Sequence, residues 1–162
     1  AEIAMDIISR GGAQAVYHAM SEEDVERIMQ HPATAIGSDG TLTIFGDGAP
    51  HPRQYGTFAR VLGRYVRERG IITLEDAVRK MSGATAQRLG IRDRGILREG
   101  FYADISIFDA DEIRDLSTFE EPHQYAEGVK HVIVNGTLAI EDGLVTDARP
   151  GMILNGPGYI ED

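Results

Sequence analysis

The feature that most limits the fold of this chain is a change in hydrophobic rhythm near residue 95. Before it, short apolar runs suited to buried strands alternate with amphipathic helix patterns. After it, strand-forming residues alternate with polar ones, and Gly-containing turn dipeptides separate them. Alternating strands and helices favour a parallel sheet, whereas closely spaced turns favour antiparallel strands. The sequence therefore predicts an α/β first half and an antiparallel β second half.

Local signals place the elements within each half. Ser21 with Asp24, and Thr73 with Asp76, have the spacing of helix starts in which the first side chain caps the helix. Asn135-Gly136 and Asp142-Gly143 are the dipeptides typical of two-residue hairpin turns. A long loop rich in Gly and Pro runs from Gly40 to about Pro52, and loops of this length inside compact domains are usually functional or disordered.

Two apolar runs in the first half, residues 13–20 and 33–38, are predicted to be parallel strands with a helix between them. Parallel strands covered by helices belong to a doubly wound sheet or a closed barrel, and both need more strands than these two; a (βα)8 barrel takes roughly 250 residues. Two strands alone would leave open edges. We therefore expect the other strands to come from sequence upstream of this chain, and the isolated chain to self-associate through exposed strand edges.

Composition excludes several classes of protein. The chain has 26 acidic and 16 basic residues and a formal charge of -10, so a nucleic-acid partner is not expected. It has no cysteine, which rules out a disulfide framework or a thiolate metal site within these residues. No apolar run is long enough to span a bilayer, and the first residues do not have a signal-peptide pattern. These two observations predict a cytoplasmic protein with no membrane partner.

Several motifs occur in a specific order along nearly the whole chain. GSDG at residues 37–40 is followed by HPR at 51–53, TLEDAVRKMSGATAQRLGI at 73–91, GILREGFYADISIFD from Gly95 and VKHVIVNG from Val129. Together they resemble the C-terminal portion of the D-aminoacylase (N-acyl-D-amino-acid deacylase) family of the amidohydrolase superfamily. GSDG alone would be a weak signal, but the combination is specific to the family level.

The resemblance implies a fold and an activity. Residues 1–91 would be the C-terminal part of a TIM-like (βα)8 barrel, and residues 92–162 a segment of a small, composite antiparallel β-sandwich. The intact enzyme would use zinc to hydrolyse the amide bond of an N-acyl-D-amino acid, giving a carboxylate and a D-amino acid. Most zinc ligands would lie upstream, in the missing N-terminal part of the same enzyme, so this chain alone should be inactive.

Asp39 is the catalytic residue that the resemblance implies, at the end of the last barrel strand. Amide hydrolysis needs a nucleophile stronger than neutral water, which a divalent metal provides by lowering the pKa of bound water to about 7. A carboxylate near that water can take its proton and later deliver it to the departing amine. An isolated Asp before Gly would instead be interpreted as a turn residue.

Arg53 matches the arginine that the resemblance implies binds the α-carboxylate of the substrate. A guanidinium grips a carboxylate through two parallel hydrogen bonds, which would fix the stereocentre. His51 is expected either to shape the HPR turn or to contact substrate. Without the family pattern, Arg53 would be interpreted as a surface residue after a rigid proline.

No metal ligand is assigned with certainty. Families of this kind use a His-X-His pair, which does not occur here. His18, near the end of the first predicted strand, could face the barrel mouth, although a structural role is the simpler interpretation. His31 is expected at a helix end, and His123 and His131 at surface or structural positions. Asp104 is expected to be structural.

Two alternatives remain open at this point. Another amidohydrolase branch, similar to dihydroorotase or hydantoinase, would cleave a cyclic amide, although the HPR motif speaks against it. A non-catalytic, β-rich association module would bind a partner chain and assemble without metal. The substrate side chain, the acyl group, the number of metals and the oligomeric state cannot be inferred from the sequence.

Overall fold

A computed structural model describes residues 2–12, 19–156 and 158. The described residues form helices in the first half and strands in the second. The helices are α1 (Glu2–Ser9), α2 (Glu22–Gln30), α3 (Arg53–Arg60), its π-helical continuation (Val61–Glu68), α4 (Leu74–Met81) and α5 (Gly83–Arg88), and the strands are β1 (Ile105–Phe108), β2 (Val129–Val134), β3 (Thr137–Glu141) and β4 (Leu144–Val145).

Both predicted helix starts are confirmed. The Asp24 N–H donates to Ser21 Oγ at 3.1 Å, and the Asp76 N–H donates to Thr73 Oγ1 at 3.2 Å. Each cap satisfies an N–H group that has no partner within the first turn of its helix. Local sequence alone therefore fixes where α2 and α4 begin.

Of the two predicted parallel strands, only the second falls within the described residues. Residues 13–18 lie outside the described residues, and the run at 33–38, predicted to be a strand, has no strand pairing. The Ile36 N–H instead donates to the carbonyl oxygen of Lys80 at 3.2 Å. A strand exists only when a neighbour supplies hydrogen bonds, and the described ranges contain no neighbour for this run. The prediction of a strand at 33–38 is thus wrong for this chain.

The antiparallel second half is confirmed. The four strands form one sheet in the order β1-β2-β3-β4, with each strand antiparallel to the next. Asn135 and Gly136 adopt φ values of 50° and 78°, and Asp142 and Gly143 adopt the same pair of values. Two consecutive positive φ angles are the signature of the hairpin turn that both dipeptides predicted.

The hydrophobic core joins the two halves. Ile113, which follows β1 in the chain, is only 2% exposed and packs in one cluster with the helical residues of the first half. Gly63 permits this contact, since a Cβ there would lie 2.6 Å from the Ile113 carbonyl oxygen. The other buried members of the cluster are Met29, Ala59, Val61, Leu62, Tyr65, Ile72 and Ala77. The core therefore contains residues from both sides of the predicted boundary between residues 91 and 92.

Helix α1 is the exception to this packing. Every residue of α1 is exposed, including Ile3, Met5 and Ile8, so the other described residues do not cover its apolar face. None of the described helices combines the length and apolar character needed to cross a membrane.

Candidate active site

Asp39 and Arg53, the two principal site residues predicted from the sequence, meet in space. Arg53 Nη2 lies 3.0 Å from Asp39 Oδ2. The Asp39 side chain is 83% exposed and that of Arg53 is 43% exposed, so solvent screens this ion pair and it adds little to stability. Asp39 also adopts a φ of 50°, a left-handed conformation uncommon for a residue other than glycine. The pair is therefore an open feature of the surface.

Gly40 and Gln54 bring the two segments of this pair together. A Cβ on Gly40 would lie 3.2 Å from Gln54 Cα, so the glycine allows the loop to approach the first turn of α3 closely. The Gln54 side chain then bonds to the loop twice, since its Nε2 donates to Thr41 Oγ1 at 2.8 Å and its Oε1 accepts from the Thr43 hydroxyl. The sequence analysis did not single out Gln54, and nothing in its local pattern marks it.

His51 shapes the turn that begins α3. Its Nδ1 accepts a hydrogen bond from the Arg53 N–H at 3.1 Å, which satisfies one of the unpaired N–H groups of the first helical turn. The ring also packs edge to face against Phe119, with ring centroids 5.0 Å apart. Of the two roles expected for His51, the structure shows the turn contact. A contact with substrate stays a prediction.

His123 contacts the loop that separates Asp39 from Arg53. Its Nδ1 accepts from the Gly46 N–H at 3.1 Å and lies 2.8 Å from the Tyr55 hydroxyl oxygen, while its Nε2 lies 3.1 Å from the Gly48 carbonyl oxygen. Because a carbonyl only accepts, Nε2 carries the proton and Nδ1 is the acceptor. The expectation that His123 is structural was correct, but the sequence did not reveal that it lies against this loop.

Aromatic rings surround the same contact. Phe45, in the loop, stacks on Tyr125 with centroids 4.9 Å apart, and lies 5.5 Å from the ring of His123 and 6.1 Å from that of Tyr55. Tyr55 belongs to α3, whereas His123 and Tyr125 come from the second half of the chain. The loop is thus held against both halves.

Lys80 supports the segment that leads to Asp39. Its side chain is fully buried, and Nζ donates to the carbonyl oxygens of His31 at 2.6 Å and Thr34 at 3.3 Å. Asp76 Oδ2 lies 3.6 Å from the same nitrogen. A buried ammonium group needs such partners. Lysine is rarely buried, so no pattern in the sequence predicts this role.

Asp104 has the structural role expected of it. It forms an ion pair with the Arg94 guanidinium, which is only 8% exposed, and its Oδ1 accepts from the Asn135 N–H at 2.8 Å. Partial burial opposes ionisation, but the Asn135 N–H and Arg94 together hold the pKa of Asp104 below its ordinary value. The pair joins the segment before β1 to the turn between β2 and β3.

The described part of the chain contains no cluster of three or more His, Asp or Glu side chains that could hold a metal ion. His18 lies outside the described residues. His31 Nδ1 accepts from the Ala33 N–H at 3.3 Å, as expected of a residue at a helix end, and His131 Nδ1 accepts from the Asp142 N–H at 3.3 Å. The described residues by themselves therefore do not fit a metal centre.

Comparisons with known proteins identify the family to which this chain belongs. The model of the amidohydrolase family matches residues 1–140. The N-acyl-D-glutamate deacylase of Alcaligenes xylosoxydans xylosoxydans is 46% identical over 142 residues, which cover 88% of this chain and 28% of that protein. The dihydroorotase of Lactobacillus acidophilus is more distant, with 30% identity over 108 residues that cover 56% of this chain and 25% of that enzyme.

Two solved structures are also similar. A crystal structure of D-aminoacylase superposes with a TM-score of 0.86 and 42% identity, over 95% of this chain and 34% of that one. A structure of N-acyl-D-glutamate deacylase from Bordetella bronchiseptica, complexed with zinc and a phosphonate mimic of the tetrahedral intermediate, has a TM-score of 0.76 and 40% identity over 93% of this chain and 34% of that one.

The chain therefore belongs to the amidohydrolase family. Within that family its similarity is to D-aminoacylase and the N-acyl-D-amino-acid deacylases, and the resemblance inferred from GSDG and HPR is confirmed. The chain spans about a third or less of the length of these relatives.

Proposed function

We propose that this chain is the C-terminal portion of an enzyme that hydrolyses N-acyl-D-amino acids to a carboxylate and a D-amino acid. The observation that carries the proposal is the exposed Asp39 carboxylate 3.0 Å from the Arg53 guanidinium, beside a long loop. Relatives with these activities in their names, which are 44–46% identical, support it.

In this proposal Asp39 moves the proton. Its carboxylate takes a proton from the attacking water, and the same group returns the proton to the nitrogen that leaves as the amine. A carboxylate can act as a base only in its ionised form. The exposed position leaves room for a substrate to approach.

Arg53 would bind the α-carboxylate of the substrate. A guanidinium has five N–H donors, so its contact with Asp39 does not exhaust it. One arginine could then orient both the catalytic carboxylate and the substrate. His51, which bonds to the Arg53 N–H, would keep this arginine at the start of α3 and could also contact substrate.

Zinc is proposed for the intact enzyme because the structure of the Bordetella relative contains it. The described residues do not supply a ligand set, so ligands would come from the remaining part of the enzyme, with His18 the candidate within this chain. The chain by itself is then expected to be inactive.

The finer architecture is also a proposal. Residues 1–91 would complete a TIM-like barrel, with the run at 33–38 becoming a strand only when neighbouring strands pair with it. Residues 92–162 would form part of a β-sandwich around the observed four-stranded sheet. The uncovered apolar face of α1 supports this view, because an amphipathic helix normally buries that face.

The test is a substrate panel on the enzyme of full family length that contains this chain. N-acetyl-D-glutamate, N-acetyl-D-leucine, their L enantiomers, dihydroorotate and hydantoin would be compared by kcat/KM. We expect hydrolysis of the D compounds at least about a hundredfold faster than of the L compounds, since Arg53 would fix the stereocentre. Activity confined to the cyclic amides would favour the dihydroorotase-like alternative and overturn the proposal.

A further inference from the structure

The loop between Asp39 and Arg53 is held by a segment that is distant in sequence. This supporting segment, residues 116–125, supplies His123 and Tyr125 to the loop and Phe119 to His51. Within the first half, the loop contacts Gln54 and Tyr55 of α3. The segment thus contacts both the loop and the turn that presents Arg53.

The supporting segment is itself well fixed. Gln124 Nε2 donates to the carbonyl oxygens of Leu116 at 3.0 Å and Glu121 at 2.9 Å. Ser117, a buried residue, donates from Oγ to the Pro122 carbonyl oxygen at 2.6 Å. These internal bonds close the segment into a compact turn, so His123 is presented to the loop by a rigid support rather than by a free chain.

We propose that His123 is a positioning residue that fixes the loop 41–50 beside the Asp39–Arg53 pair and thereby sets the affinity for substrate. The inference rests on the proposed function. It identifies this loop as the wall of the site, and it assigns a role in substrate binding to a side chain from the β half of the chain.

The two ring nitrogens explain why histidine suits this position. Nδ1 accepts from the Gly46 N–H, and Nε2 donates to the Gly48 carbonyl oxygen, so one ring fixes two backbone groups of opposite character. Asparagine can reproduce only the Nδ1 acceptor, glutamine only the Nε2 donor, and phenylalanine neither, although phenylalanine keeps the ring packing. The three variants therefore separate the two hydrogen bonds from each other and from the packing.

The expected effect is on binding rather than on chemistry. When only a fraction of the molecules has the loop in place, the apparent dissociation constant rises by the inverse of that fraction. Asp39 and Arg53 remain next to each other through the Gly40 and Gln54 contacts, which His123 does not make. Loss of the two hydrogen bonds should thus raise KM and leave kcat nearly unchanged.

The test combines a structural and a kinetic measurement. Hydrogen exchange of the peptide covering residues 41–50 would be measured in the full-length enzyme for wild type, His123→Phe and His123→Asn. His131→Phe is the matched control, because His131 bonds to Asp142 in the β half instead of to the loop. We expect His123→Phe to speed exchange of the Gly46 amide about tenfold or more, His123→Asn to restore most of the protection at Gly46, and His131→Phe to have no effect.

The same variants in the full-length enzyme would then be assayed on N-acetyl-D-glutamate. We expect His123→Phe to raise KM about tenfold with kcat within about threefold of wild type. Phe45→Ala, which removes the loop's own ring from an exposed position, should also raise KM, and it keeps the test valid if His123→Phe folds poorly.

If exchange of the Gly46 amide is unchanged in His123→Phe, His123 does not hold the loop. If exchange is faster but KM is unchanged, His123 does not set the affinity for substrate. A fall in kcat without a change in KM would likewise contradict positioning. Absence of any N-acyl-D-amino-acid hydrolysis in wild type would refute the proposed function and with it the effect on substrate affinity, whereas the exchange result would still decide whether His123 holds the loop.

Discussion

Asp104 shows how a single buried contact links pH to stability. The Arg94 guanidinium is almost completely enclosed, so its charge depends on the Asp104 carboxylate for compensation. The pKa of folded Asp104 lies below that of an unfolded aspartate, about 3.9. Its contribution to stability is therefore fully present above that pH and is lost as the pH falls below it.

We predict that Asp104→Asn lowers the free energy of unfolding by about 2–3 kcal/mol at pH 7, because it leaves a buried arginine without its counter-ion. Urea unfolding at pH 7 and pH 3 would measure this, and the loss of stability between the two pH values should be smaller in the variant than in wild type. Asp147→Asn, at an exposed position, is the control. An identical pH dependence in Asp104→Asn would show that the pair is not linked to acid stability.

The prediction for Arg53 depends on the shape of its side chain rather than on its charge. Arg53→Lys keeps the positive charge near Asp39 but removes the planar fork that grips a carboxylate at two points. We expect kcat/KM of the full-length enzyme on N-acetyl-D-glutamate to fall about tenfold to a hundredfold, which corresponds to the loss of one charge-assisted hydrogen bond. Wild-type kinetics in the lysine variant would mean that Arg53 does not bind the substrate carboxylate.

At the scale of residues, the sequence predicted the site residues that belong to motifs. It missed the residues whose partners are distant in the chain. Asp39 and Arg53 stood out because they belong to GSDG and HPR, and the structure brings them together. Gln54, Lys80 and His123 act through partners that lie 11 to 77 residues away in the chain. No local pattern reports such contacts, so they could be found only in three dimensions.

At the scale of elements, the segment between α2 and Asp39 is held in place by side chains rather than by strand pairing. Lys80, in α4, bonds to the carbonyl oxygens of His31 and Thr34, and its own carbonyl oxygen accepts from the Ile36 N–H. These three bonds fix the segment that leads to Asp39. Helix α4 therefore supports the site without contacting Asp39 itself.

We predict that Lys80→Met lowers the free energy of unfolding by about 2–4 kcal/mol, because it fills the space but removes the hydrogen bonds that the buried ammonium group donates to the His31 and Thr34 carbonyl oxygens. The measurement is urea unfolding followed by circular dichroism. Lys130→Met is the matched control, since Lys130 makes only an exposed ion pair with Glu112 and its removal should change stability little. Equal stability of the two variants would contradict the supporting role of Lys80.

The elements differ in how well sequence predicts them. Helices α2 and α4 and the two hairpins follow from caps and turn dipeptides only a few residues long, and all are present. The strand predicted at 33–38 depends on neighbours that are not adjacent in sequence, and it does not form in this chain. Apolar character can mark a buried segment, but only pairing makes it a strand.

At the scale of the whole molecule, the chain carries an apolar surface that it does not itself cover. Ile3, Met5 and Ile8 of α1 are exposed, as are Leu42 and Ile44 of the loop. Surface of this kind usually marks a contact with another chain or segment. In an enzyme of the relatives' length, we expect the additional sequence to pack over these exposed apolar side chains.

We predict that the isolated 162-residue chain self-associates through this surface rather than through the strand edges expected from the sequence. Sedimentation velocity should show the average mass rising with concentration between about 1 and 100 µM, the range in which weak apolar contacts form. The double variant Ile3→Asn, Ile8→Asn should reduce association. A chain that stays monomeric at all concentrations would contradict the prediction.

We propose that Asp39 transfers the proton in amide hydrolysis. The most direct measurement is kcat for N-acetyl-D-glutamate in the full-length enzyme with Asp39→Asn, compared with the exposed control Asp147→Asn at equal metal content. We predict a fall of about 10²–10⁴-fold in Asp39→Asn, the usual contribution of a general acid–base group, and wild-type turnover in the control. Undiminished turnover in Asp39→Asn, with the fold intact, would contradict the account.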